Sequence, residues 1–147
     1  MAFSLSNTIL RGVTGAYILN SGIGKLGLPE EAATGLQQMA SQGIPQVESL
    51  SPKQFGWLVS LGEIAVGSAL LLPLVPTRVA GLGLGAFSAG MLSMYFRNSE
   101  MTQADGIRPS HAGTPLSKDL WLAAIALALV VRGAGSKKVK VKEVAKD

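Results

Sequence analysis

Three charged residues stand inside stretches that are otherwise apolar: Arg11, Lys25 and Glu63. A charge near the centre of a bilayer costs roughly 2.5–3.5 kcal/mol on insertion scales, so such a group either pairs or serves a function. At about 1.5 Å of rise per helical residue, Arg11 lies roughly 9 Å from one end of its stretch. Glu63 lies roughly 12 Å from the opposite face on the same rise, and Lys25 sits close to the end of the first stretch. Across a hydrocarbon core about 30 Å thick, Glu63 is within one long side chain's reach of either cation in height. Two readings follow. Either Glu63 pairs with Arg11 or Lys25 and fixes how two helices pack, the cations also being free to snorkel to their interfaces. Or Glu63 exchanges a proton or contacts a polar ligand beside an amphiphile.

Other chemistry is thin. The chain has no cysteine, so it has no disulfide, zinc-thiolate site or iron–sulfur cluster of its own. His111, the single histidine, stands in a polar stretch between Ser110 and Ala112. Metal and haem sites need several donors, and haem ligands in a bundle come from the spans, so His111 reads as an exposed loop residue. Gly22-Ile23-Gly24-Lys25 has the look of a phosphate loop, but it closes an apolar stretch with no strand before it. The residues therefore name no catalytic group, no metal and no cofactor. The chain reads more as a structural protein than as an enzyme.

Positioning Arg11, Lys25 and Glu63 falls to four apolar stretches, at about 5–28, 55–75, 77–96 and 116–131. A span takes roughly 20 residues, and the fourth reaches that only by including Lys118 and Asp119. Eighteen glycines and 15% charged residues suit membrane helices. Two long buried helices of a soluble protein would show a polar face, yet residues 55–96 carry only Glu63 and Arg78 as charges. The expected fold is all-α: an up-and-down four-helix transmembrane bundle over residues 1–136 with a basic tail at 137–147. Pro73 and Pro76 make the tight turn between the second and third spans. Pro29-Glu30-Glu31 reads as a helix start, and Ala32, Ala33, Leu36, Met39 and Ala40 recur at helical spacing until Gly43 and Pro45. That predicts a short amphipathic helix at the outer interface.

Residues 132–147 hold six basic and two acidic residues, which accounts for the whole net charge of +4. The basicity describes a tail, not a nucleic-acid-binding face. By the positive-inside rule the tail is cytoplasmic, and with four crossings the N-terminus is too. Lys137, Lys138, Lys140 and Lys142 then meet anionic lipid head groups, at about 1 kcal/mol each. In the third stretch Gly81, Gly85 and Ala89 share one stripe, and Ala86 and Gly90 share its neighbour. Small residues four apart let helix backbones approach in lipid, and two such stripes exceed what one neighbour needs. The remainder is available to another protein.

The order of several motifs resembles DoxX-like membrane proteins. They are Arg11-x-x-x-Gly15, Gly22-x-x-Lys25-Leu26, Gly43-Ile44-Pro45, Glu63-x-x-x-Gly67 with Leu70-Leu71-Leu72, Thr77-Arg78, and Gly133-Ala134-Gly135-Ser136. The resemblance implies a four-helix protein of the bacterial plasma membrane, and in some members a link to quinone redox assemblies. Two expectations stand side by side. One is a non-catalytic accessory subunit of a larger membrane complex, for transport or respiration, with no cofactor. The other is a redox-associated subunit that helps bind quinone through Glu63, with Arg11, Tyr17 or Tyr95 beside it.

Overall fold

The computed structural model describes residues 5–135. Helix α1 spans Leu5–Gly24, α2 Glu30–Gly43, α3 Pro52–Leu71, α4 Thr77–Arg97, the one-turn α5 Thr114–Ser117, and α6 Asp119–Gly135. A short 3-10 turn, Pro45–Ser49, links α2 to α3. The described residues contain no strand, only an isolated bridge between Thr102 and Pro109. The chain is a helical membrane bundle.

Local chemistry sets the ends. Ser51 accepts a hydrogen bond from the Gln54 amide while the Gln54 side chain accepts one from the Ser51 amide, a capping box that starts α3 three residues earlier than the apolar run suggests. Pro73 stops α3 at Leu71, so the second stretch closes before 75. The first stretch ends at Gly24 rather than 28, because Gly27 adopts φ +72° and turns the chain. The fourth runs from Thr114 with a break at Lys118, which puts Asp119 inside the span.

Pro52–Leu71, Thr77–Arg97 and Thr114–Gly133 are long and apolar enough to cross a membrane. Helix α1 has the length but not the hydropathy, since Asn7, Arg11 and Asn20 interrupt it. It packs along α3 as α4 packs along α6, and these two antiparallel pairs form the bundle. Ile18, Leu70, Ala80, Leu84, Ala126 and Leu129 fill the core between them.

The two ends of the bundle differ. At one, the α3–α4 turn meets the start of α1 and the end of α6, where Arg132 donates to Ser6 Oγ and Asn7 Oδ1. At the other, α2 and residues 98–113 form a cap. The predicted amphipathic helix is present as α2, and it buries Ala33, Gln37, Ala40 and Gly43 against α3 and α4 while Ala32 and Met39 stay exposed. The buried Gln37 amide donates to Val47 O (2.7 Å) and Leu50 O (2.8 Å), pinning the 3-10 turn. Arg97 donates to Gly43 O (2.7 Å), tying α4 to the end of α2.

Candidate functional site: the charged groups between α1 and α3

Helices α1 and α3 touch through small residues. A Cβ on Gly67 would lie 2.5 Å from the Leu19 amide nitrogen, and one on Gly22 2.8 Å from that of Ile64. A Cβ on Gly15 would lie 2.9 Å from the Leu70 and Leu71 side chains and 3.0 Å from Gly67 O. Backbones this close leave room for polar side chains of neighbouring turns to reach across the seam. Ser60, fully buried, donates to Gly22 O at 2.8 Å.

The pairing is antiparallel, so Gly22 is level with Glu63 and Gly15 with Leu70. That register decides which charges meet. Lys25, just past the end of α1, donates to Glu63 Oε2 (2.9 Å) and Ser21 Oγ (2.6 Å). Glu63 is only 4% exposed, so the ammonium neutralises a carboxylate that lipid would penalise heavily. Asp119, half-buried at the first position of α6, lies at the same end of the bundle. The capped end of the interior thus holds two acids and one lysine.

Arg11 lies about three turns of α1 from Gly22, the residue level with Glu63, and does not reach that carboxylate. Its guanidinium instead donates to the carbonyls of Ala69 (3.0 Å), Leu70 (2.8 Å), Leu72 (2.8 Å) and Val75 (3.0 Å), and to Thr77 Oγ1 (3.1 Å). A helix ends with carbonyls that have no intrahelical partner and with the negative pole of its dipole. Pro73 fixes where α3 ends, and a planar fork with five donors answers those carbonyls. The cation needs no carboxylate because a helix terminus compensates it.

Among the remaining candidates, Gly81 and Gly85 face α6, their Cβ positions being 3.0 Å from Leu129 Cβ and 3.7 Å from Ala126 Cβ. Gly90 lies beside Ile44, whereas Ala86 and Ala89 point outward and are exposed. Tyr95 is buried and donates to Ile107 O (2.7 Å), bracing the 98–113 loop, while Tyr17 is exposed. His111 is exposed. Lys137, Lys138, Lys140 and Lys142 lie outside the described residues. Sequence reasoning joined the first two apolar stretches through Glu63 but passed over the glycine contacts that bring α1 and α3 together. The signal was present in Gly15, Gly22 and Gly67, but nothing local says which helix a glycine faces.

In the 98–113 loop, Asp105 accepts hydrogen bonds from the Arg108 side chain and from the amides of Ile107 and Arg108. Arg108 first, then the two amides, hold the carboxyl below its ordinary value. A lowered pKa contributes stability above the ordinary carboxylate range and loses it as pH falls through the lowered value. The Ile107 and Arg108 amides are therefore expected to stay protected at neutral pH and to open only below about pH 4, read by amide proton shifts in an acid titration.

The DoxX family model matches residues 6–95, more than half of the chain, from the start of α1 to the end of α4. That interval contains Arg11, Lys25 and Glu63. A search of the curated proteins and of the solved structures found no match.

Proposed function

The chain belongs to the DoxX family, and from that premise we propose that it is a non-catalytic stabilising subunit of a larger complex in the bacterial plasma membrane. The reading rests on the use made of its intramembrane charges. Arg11 holds the end of α3, and Lys25 with Glu63 locks the other end of the same helix pair. Each is engaged in fastening helices. The apolar runs of α3 and α4 are 33% buried and that of α5–α6 is 17% buried, so most of their surface meets lipid or another protein. Exposed Ala86 and Ala89 offer a close-packing position on α4. In this reading the chain crosses four times with both ends cytoplasmic, and Lys137, Lys138, Lys140 and Lys142 rest on anionic head groups.

The test is extraction of a tagged chain in mild detergent followed by native electrophoresis. The expected result is one discrete assembly, far heavier than the 15.2 kDa chain, with a companion at fixed stoichiometry. Ala86→Ile with Ala89→Ile should release that companion and leave the chain helical. Migration of the unmodified chain by itself would sink the reading.

A second reading, a quinone-linked redox subunit, is favoured by one observation: Lys25 joins buried Glu63 to a cleft open at the capped end. Glu63→Gln would then abolish quinol-dependent turnover while the chain remains in the membrane. In the first reading it lowers yield in the membrane and leaves turnover untouched.

A further inference from the structure

The cleft sits where the end of α1, the start of α2 and the start of α3 converge. Its volume is about 320 Å3, at the low end of the range for small-ligand sites. Lys25, Lys53 and Glu30 line it together with Trp57, Leu28 and Ala33. Lys25 is already neutralised by Glu63. That leaves Lys53 and Glu30, both exposed, whose side chains make no hydrogen bond or ion pair with the described residues, to one another included.

An unpartnered cation and an unpartnered acid on one cleft select a ligand that carries both charges. A plain anion would meet Glu30, and a plain cation would meet Lys53. The position within the fold narrows the ligand further. Lys53 is in the first turn of α3, one end of a span, and so stands at head-group level. The start of α3 adds the positive pole of its dipole beside Lys53. Trp57, 47% exposed, presents an amphipathic ring of the kind that favours the membrane–water boundary. Leu28 and Ala33 supply an apolar wall for whatever follows the polar group.

We propose that this cleft binds a phosphoryl group with an adjacent primary ammonium, the phosphate on Lys53 and the ammonium on Glu30. Two sources carry that chemistry: a phosphatidylethanolamine head group and free phosphoethanolamine. The quinone reading uses the same cleft, but a quinone carries neither charge, so the Lys53 and Glu30 variants test this inference separately from it.

The experiment is native mass spectrometry of the full chain in mild detergent with equal amounts of phosphatidylethanolamine, phosphatidylcholine and phosphatidylglycerol. The expected result is preferential retention of phosphatidylethanolamine. Phosphatidylcholine has no ammonium hydrogen to donate, and phosphatidylglycerol has no cation. Lys53→Met should cut retention about tenfold, as loss of one charge-assisted contact does. Glu30→Gln should shift preference towards phosphatidylglycerol. Both side chains are exposed, so the variants are expected to keep the helical circular dichroism of the parent. Displacement of the retained lipid by free phosphoethanolamine would assign the site to the soluble zwitterion, and resistance to it would assign the site to the lipid. Equal retention of all three lipids, a preference of the parent for phosphatidylglycerol, or unchanged retention in Lys53→Met would overturn the proposal.

Discussion

Gly67→Ala is expected to destabilise the bundle by about 3 kcal/mol, the upper end for overpacked cores. The added Cβ would sit 2.5 Å from Leu19 N and 2.8 Å from Leu19 Cα. Those are backbone atoms, so no side chain can rotate away, and α1 must move off α3. Such a movement reaches Ser60, Gly22 and the Lys25–Glu63 pair, which lie along the same seam. Gly62→Ala on the same helix is the control, because nothing lies within 4 Å of its Cβ position. The measurement is the unfolding midpoint in mild detergent titrated with sodium dodecyl sulfate. Alanine raises helix propensity at both sites, so a loss confined to position 67 isolates the contact. Equal midpoints for the two variants would refute the close approach of α1 to α3.

Arg11→Met carries the second large effect. It removes the donors to four carbonyls at the end of α3 and in the following turn, and to Thr77 Oγ1. A buried acceptor left without a partner costs about 1–3 kcal/mol, and several of these are only partly shielded, so the loss should be on the order of 3 kcal/mol. Arg11→Lys should recover part of it, since an ammonium is a point donor and cannot serve a fan of carbonyls as a planar fork does. The amount of chain recovered in the membrane and its unfolding midpoint should rank wild type, then Lys, then Met. Wild-type behaviour of Arg11→Lys would show that charge alone matters at this position. Wild-type behaviour of Arg11→Met would show that the end of α3 needs no such support.

Much was legible in the residues alone. Long apolar runs, low charge and glycine content determine a helical membrane protein, because lipid leaves the backbone no partner but itself. Pro73 and Pro76 mark the turn, Pro29-Glu30-Glu31 marks the start of α2, and the ordered motifs point to the DoxX family. These are local signals, each set by one residue's conformational limits or by the chain's hydropathy. Partner choice was not local. Arg11 and Lys25 are both cations of the first apolar stretch, and the sequence offers Glu63 to either.

Only the antiparallel register of α1 on α3 decides between them. It places Lys25 on the carboxylate and Arg11 on the carbonyls of a helix end, which no pattern of charged residues announces. The same holds for the small residues. The stripe in α4 was visible, but its division into Gly81 and Gly85 facing α6, with Ala86 and Ala89 facing outward, depends on where the neighbouring helix lies. The cleft lined by Lys25, Glu30 and Lys53 is assembled from three separate segments, and it exists only once the chain has folded. Sequence determined which groups must avoid lipid; tertiary structure decided what each of them touches, because a helix fixes spacing along itself and not the face another helix will cover.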